Sequence, residues 1–249
     1  MNVVIPMAGL GQRFKDQGFS VTKPLIDMCG TPMIVRVIES LQIRGNYIFI
    51  LRNQDELAKL KDVLLSTTKI YPNFIRSVKF LTIDYLTDGP ASTVLVAKDL
   101  INTNEPLVVA NCDQIMWWNG KLFQTFCELS GHDGVIVTYY SNSIKNSYAK
   151  INRSGSVLEV REKEIISKIS LNGIHFWSKG RLFVESAEDM IAANNRSING
   201  EFYVGPSYNK MIESGYKVGI YHLPNRQHHA VGTPDDLREY LRNENLQAK

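Results

Sequence analysis

Residues 3–7, Val-Val-Ile-Pro-Met, form an apolar run of strand length, and the chain leaves it through Ala8-Gly9-Leu10-Gly11-Gln12-Arg13-Phe14. A short apolar run that stops at a glycine turn is the mark of a buried strand in an α/β sheet. The glycines matter for a second reason. Lacking side chains, Gly9 and Gly11 let backbone N–H groups approach phosphate oxygens that a Cβ would hold away. Arg13 follows the second glycine, and Lys23-Pro24-Leu25-Ile26 comes ten residues later. A flat guanidinium fork and a mobile ammonium thus join one loop. Strand, loop and two cations in this order suit a nucleoside triphosphate. The dinucleotide fingerprint needs a third glycine that is absent here, and no Gly-Lys-Ser/Thr makes a Walker loop.

The segments that follow repeat the strand–helix alternation. Ile34, Val37, Ile38 and Leu41 fall at helical spacing, which predicts a helix from near Pro32. Tyr47–Leu51 reads as a second strand, and Leu57, Leu60 and Leu64 mark a second helix. Val78–Ile83 is a third strand, Pro90–Leu100 a helix opened by its own proline, and Leu107–Ala110 a fourth strand. This alternation predicts a mostly parallel sheet with helices on both faces. Beyond it, Gly134–Tyr140, Ala149–Asn152, Val157–Val160 and Gly173–Trp177 read as strands with short turns. A helix is expected over Gly180–Ala193, a strand over Tyr216–Leu223 and a helix over Pro234–Arg242. Ligands of such sheets sit beyond the carboxyl ends of the strands, where the loops after Met7 and Ala110 lie.

The 249 residues suit a single domain, residues 1–249, with a nucleotide-binding part over about 1–115 and an acceptor-binding part over about 116–249. The net charge of +3 is spread along the chain, so nucleic acid is not expected as a partner. No apolar run approaches the ~18 residues of a membrane span, and the first residues lack the features of a signal peptide. A cytoplasmic protein is expected. Cys29, Cys112 and Cys127 match no zinc or redox spacing, so three free thiols are expected.

Gly9-Leu10-Gly11-Gln12-Arg13 with Lys23-Pro24 resembles the opening motif of the sugar nucleotidyltransferases, the nucleoside-diphosphate-sugar pyrophosphorylases of surface polysaccharide synthesis. The resemblance implies a Rossmann-like mixed, mostly parallel sheet flanked by helices, the glycosyltransferase A-type nucleotidyltransferase fold. It implies catalytic roles for Arg13 and Lys23, and nucleotide contacts at Met7, Ala8, Gly9, Leu10, Gly11 and Asn111. Gly89, Pro90 and Ala91 resemble the turn that sits against the base, where a helix N-terminus offers free N–H groups. Asp113, an acid at the end of a buried strand, is the expected Mg2+ ligand.

On the acceptor side, Glu162-Lys163, Asn172-Gly173 and Glu201 resemble the family's sugar-phosphate contacts, and Asn209 follows downstream. Gly232-Thr233-Pro234-Asp235-Asp236-Leu237 resembles its closing segment. Three positions depart from the pattern. Ala230 stands where many members carry a second metal-binding Asp, Glu164 replaces a proline, and Pro6-Met7 replaces Leu-Ala. His228 and His229 precede Ala230. Trp117 and Trp118 are expected in packing rather than in base stacking. With the chain ending soon after Leu237, no appended domain is expected.

The implied reaction is attack of an acceptor phosphate on the α-phosphorus of a nucleoside triphosphate, with Mg2+ present and pyrophosphate leaving. A phosphate monoester is largely a dianion at neutral pH, so no general base is required. Positioning and charge neutralisation are what the site must supply. The expected partners are a nucleoside triphosphate and a sugar 1-phosphate or other phosphate ester, and a homodimer is the default assembly. Two alternatives stand beside this reading: a glycosyltransferase consuming a nucleotide sugar, and a non-catalytic nucleotide-binding homologue suggested by Ala230.

Overall fold

The structure is a computed structural model that describes residues 1–53 and 56–247. Its first half comprises β1 (Asn2–Met7), α1 (Gln12–Lys15), the short strands β2 (Asp27–Met28) and β3 (Thr31–Pro32), α2 (Met33–Leu41), β4 (Gly45–Arg52), α3 (Leu57–Ile70), β5 (Ile75–Ile83), α4 (Pro90–Leu95), α5 (Lys98–Ile101) and β6 (Leu107–Ala110). The second half comprises β7 (Gln114–Met116), α6 (Gly120–Leu129), β8 (Gly134–Tyr140), β9 (Ser147–Ile151), β10 (Val157–Glu162), β11 (Ile169–Trp177), α7 (Gly180–Ala192), α8 (Ser207–Glu213), β12 (Val218–His222), β13 (His228–Ala230) and α9 (Pro234–Gln247). The helix expected over Pro90–Leu100 is two helices, because Ala97 adopts φ −88° and ψ 10° between them. Helices α1, α6 and α8 and the short strands β2, β3, β7 and β13 are additions to the expected pattern.

One mixed sheet runs β10-β9-β11-β6-β1-β4-β5, with β8 on β11 and β12 on β8. Strands β1, β4, β5 and β6 pair in parallel, whereas β11 is antiparallel to β6, β8 and β9. Only β11 and β10 run against the rest, so the mostly parallel expectation holds. The alternation of side chains across each strand divides the core. Val3, Ile5, Phe49, Leu51, Val108 and Ala110 face one layer, with Ile34, Val37 and Leu41 of α2 and Phe123 of α6. Val4, Ile48, Ile50, Leu107 and Val109 face the other, with Ala91 of α4, Phe183 of α7 and Tyr208 of α8. Each fully buried aliphatic contributes roughly 1.5–3 kcal/mol, so this two-sided burial dominates the stability.

The parallel strands end on one side of the sheet. The loops after β1, β5 and β6 therefore converge there. Strand β11 passes β6 in the opposite direction, with Ile174 beside Ala110, so Asn172 and Gly173 project just past the end of β6. Strands β9 and β10 carry the sheet further on that side. Glu162 pairs with Ser147, and Tyr148 with Ser170, which sets Glu162 near the level of Leu171. None of the helices among the described residues is long and apolar enough to cross a membrane.

Candidate active site

The strand β1 delivers its last side chain, Met7, into the core at 4% exposure, and Ala8 is equally enclosed. The chain then surfaces at Gly9 and Leu10. Gly11 turns it with φ 64°, a left-handed conformation that glycine tolerates without a Cβ clash. The Gly11 carbonyl accepts the N–H groups of Phe14 at 3.0 Å and Lys15 at 3.3 Å. Phe14 anchors this short helix, packing edge-on against Phe19 with ring centres 5.2 Å apart. Its neighbour Arg13 points outward and makes no hydrogen bond or ion pair among the described residues.

Lys23 opens a single 3-10 turn over Lys23–Leu25 in which Pro24 sits at the start. The N–H of the preceding Thr22 donates to Glu56 Oε2 at 2.8 Å. Lys23 then reaches across the sheet ends to Asp113, with Nζ 2.5 Å from Oδ2. The two side chains are 17% and 20% exposed. Burial opposes the charge on Lys23, but the Asp113 carboxylate and neighbouring Cys112 outweigh it, and its pKa lies above the ordinary lysine value. Burial pushes the Cys112 thiol up to about 11, against the pull of Lys23, so the thiol stays protonated at neutral pH.

Asp113 follows β6 by three residues and is fixed from two sides. Its carbonyl accepts the Val231 N–H at 2.9 Å, and β7 pairs with β13 so that Ala230 faces Gln114. A Cβ placed on Gly232 would lie 2.8 Å from Asp113 Oδ2. The closing segment therefore packs directly against the acid, and a glycine there keeps the carboxylate's flank open. His228 lies on the Tyr139 ring with centres 3.9 Å apart, and His229 lies on Trp117 at 4.0 Å. Burial, then the neighbouring His229, pushes the His228 pKa down to about 4, against the pull of Asp113. Both imidazoles have lowered pKa values and are neutral at pH 7. Trp118 stacks on Phe123 and donates from Nε1 to the Ser40 carbonyl at 3.0 Å, as packing residues do.

The turn Asp88-Gly89-Pro90-Ala91 opens α4 beside β1. Asn111 donates its N–H to the Gly173 carbonyl at 3.0 Å, which joins the end of β6 to β11. The Asn172 side chain is buried, accepting the Ile174 N–H at 2.9 Å and directing its amide to the Met116 sulfur at 3.4 Å. Glu162 bonds the Ser147 hydroxyl, and burial raises its pKa. Lys163 takes φ 56° and extends Nζ to the Tyr203 hydroxyl at 3.1 Å. Asn199 donates to the same hydroxyl at 2.8 Å and to Glu201 Oε2 at 2.9 Å. Sequence reasoning passed over Tyr203, which ties Lys163 to the Glu201 loop. Asn209 has both ends of its amide occupied: Oδ1 accepts the Val160 N–H at 2.8 Å and Nδ2 donates to the Val160 carbonyl at 2.9 Å.

Most of the expected residues, joined by Tyr203, thus form two groups at one end of the sheet. One is the loop 8–11 with Arg13, Lys23 and Asp113, and the other is Lys163, Tyr203, Asn199 and Glu201. All three cysteines are free. Among the described residues, no cluster of three or more His, Cys, Asp or Glu side chains could hold a metal by itself.

Similar architecture is found in a nucleoside-diphosphate-sugar pyrophosphorylase from Vibrio cholerae. It superposes with a TM-score of 0.82 at 22% identity over 96% of this chain and 99% of that one. A UDP-glucose pyrophosphorylase solved with UDP-glucose gives a TM-score of 0.75 at 14% identity over 99% and 98%. At these identities the likeness is one of fold. In sequence, the chain is 33% identical over 138 residues to mannose-1-phosphate guanyltransferase 2 of Candida glabrata. It is 31% identical over 140 residues to the mannose-1-phosphate guanyltransferase of Eremothecium gossypii. Each match covers 55% of this chain and 37% of the relative's length. Residues 3–169 match the MobA-like NTP transferase domain, and the chain belongs to that nucleotidyltransferase family.

Proposed function

We propose that the protein transfers a nucleoside monophosphate from a nucleoside triphosphate to a sugar 1-phosphate or similar phosphate ester, releasing pyrophosphate. The observation that carries this reading is the Lys23–Asp113 pair, held at the carboxyl ends of the strands beside the glycine loop. An acceptor phosphate oxygen forms a bond to the α-phosphorus while the bond from that phosphorus to the bridging oxygen of the β-phosphate breaks. The acceptor dianion has no proton to surrender, so the lack of a general base is no obstacle. Arg13 and Lys23 neutralise the triphosphate, the backbone of residues 8–11 cradles it, and Lys163 meets the acceptor phosphate. Glu162 and Glu201 offer polar contacts to the rest of the acceptor, whereas the Asn172 side chain is buried with its amide already engaged.

Mg2+ fits these residues. Asp113 presents one carboxylate, and Gly232 leaves room beside Oδ2. Ala230 adds no second acid, and Mg2+ at phosphates commonly uses one or two carboxylates with phosphate oxygens and water. When bound at Asp113 it would offset phosphate charge during transfer.

The same reading takes residues 1–249 as one catalytic unit, with the nucleotide over about 1–115 and the acceptor over about 116–249. It extends to a homodimer making surface polysaccharide precursors in the cytoplasm. The guanyltransferase relatives support the sugar-phosphate class. Pyrophosphate release with Mg2+, measured across five nucleoside triphosphates and a panel of acceptor phosphates, tests it. Release that requires one triphosphate and one acceptor is expected. Triphosphate binding without release on any acceptor would point to a non-catalytic homologue, and consumption of a nucleotide sugar without pyrophosphate release to a glycosyltransferase.

A further inference from the structure

The segment between α7 and α8 carries the acceptor-side residues Asn199, Glu201 and Tyr203, yet its firmest attachment is to the turn on the nucleotide side. Phe202 donates its N–H to the Asp88 carbonyl at 2.8 Å and accepts the Ala91 N–H at 2.9 Å. These two bonds are a strand-like ladder between the two half-sites. Gly89 makes the contact possible. Its φ is 126°, and a Cβ there would lie 2.6 Å from the Phe202 carbonyl oxygen and 2.7 Å from its nitrogen. The glycine of this turn is therefore needed by the protein's own backbone.

Arg196 fastens the segment. Its Nη2 lies 3.0 Å from Asp88 Oδ2, Nη1 donates to the Gly200 carbonyl at 2.8 Å, and Nε donates to Asn194 Oδ1 at 2.9 Å. The guanidinium also lies over the Phe202 ring at 4.2 Å from its centre. One side chain thus holds the segment's start, its tip and its ladder residue, and ties all three to Asp88. From Phe202 the chain passes to Tyr203, whose hydroxyl receives Lys163 and Asn199. A continuous set of contacts runs from the base-side turn to the lysine of the acceptor side.

We propose that Arg196 is a positioning residue: it clamps the 194–203 segment onto the Asp88–Ala91 turn and so holds Tyr203, Glu201 and Lys163 in the geometry that binds the acceptor phosphate. This rests on the nucleotidyl-transfer reading for its kinetic consequence, whereas the clamp itself is a property of the fold. Only a guanidinium reaches Asp88, Gly200 and Asn194 at once; an ammonium keeps the charge and loses the fork.

The experiment compares Arg196→Ala and Arg196→Lys with the unaltered protein in pyrophosphate release and in amide hydrogen exchange. Arg196→Ala is expected to raise the KM for the acceptor at least tenfold and the KM for the triphosphate by less. Arg196→Lys is expected to recover part of the loss. Exchange is expected to accelerate together over residues 88–91 and 197–203, with the β1–β4 core unchanged. An acceptor KM within twofold of the original would overturn the proposal, as would equal rises in both KM values. If the unaltered protein releases no pyrophosphate with any acceptor, the transfer reading fails, and exchange alone judges the clamp. Joint acceleration in the two segments then supports it, and unchanged exchange in either overturns it.

Discussion

The Lys23 ammonium lies 2.5 Å from Oδ2 of Asp113, across 90 residues of sequence. Asp113 follows β6 by three residues, and Lys23 opens the turn after the glycine loop. One pair therefore joins the glycine-loop side of the site to the loop after β6, and each member enforces the position of the other.

Loss of either partner leaves a mostly enclosed charge without its counter-ion, a situation that costs more than the pair itself contributes. Asp113→Asn is expected to lower turnover by 10²–10³-fold, about 3–4 kcal/mol, the scale of one lost charge-stabilising contact. Lys23→Met and Asp113→Asn should each lower the urea midpoint, and the double variant should lower it less than the sum of the two. Additive losses would show that the ion pair contributes no coupling. The Lys23 pKa is raised above its unfolded value, so the pair's contribution is complete at neutral pH and is lost only as pH rises through the folded value. Stability curves at pH 7 and pH 9 should show no difference attributable to Lys23.

Arg13 offers a cleaner separation of catalysis from folding. It is exposed and unpaired among the described residues, so Arg13→Ala should change unfolding free energy by less than about 0.5 kcal/mol. Turnover should still fall by 10²–10³-fold if the side chain meets the triphosphate. Near-native pyrophosphate release from a fully folded Arg13→Ala protein would remove Arg13 from the site.

Most of the parallel half was legible because its signals are local. The Val3–Met7 run, the α2 stripe of Ile34, Val37, Ile38 and Leu41, and the proline at the start of α4 are visible within a few residues. Helix α6 was not legible because its apolar pattern misleads. Phe123 and Cys127 are buried, but Leu122 and Leu129 are 60% and 80% exposed, so leucines stand on the wet face. Helix α8 spans only Ser207–Glu213, too short for periodicity to register. The position of Asp113 at a strand end could be read from sequence; its contact with Lys23 could not, because it depends on how the loops converge. Phe202 closes the Asn199–Phe202 stretch that resembles an acceptor-side segment, but its backbone bonds to Asp88 and Ala91 span too much sequence to be read there. Arg196 carried no motif, and its Asp88 partner lies 108 residues away.

Asn209 shows the same limit. Within the sequence it resembles part of an acceptor segment, but β10 lies at the end of the sheet, and the Asn209 amide bonds both the N–H and the carbonyl of Val160 there. It acts as a one-residue substitute for a neighbouring strand. Asn209→Asp keeps the acceptor for the N–H but sets a carboxylate against the Val160 carbonyl. Destabilisation of about 1–3 kcal/mol is expected. Asn209→Ala should cost a similar amount and leave the edge open to pairing with another chain, so sedimentation should show added self-association. A urea midpoint unchanged in both variants would refute this role.

Acid sensitivity should trace to His175. This side chain is 4% exposed between Trp177 and Tyr208, and its Nδ1 has no hydrogen-bond partner among the described residues. Burial lowers its pKa from 6.5 to about 3. Between those two values the unfolded chain binds a proton that the folded protein refuses, so stability rises with pH across that window and falls on acidification. At pH 4.5 the penalty from this one residue is about 2–3 kcal/mol relative to pH 7.5. His175→Leu removes the titrating group and the unpartnered nitrogen while keeping an apolar side chain against the α7–α8 layer. Its unfolding free energy should match or exceed that of the unaltered protein at pH 7.5, and should decline less by about that amount at pH 4.5. An equal decline in both proteins would assign the acid sensitivity to other groups, His228 first among them, since its pKa is lowered to about 4.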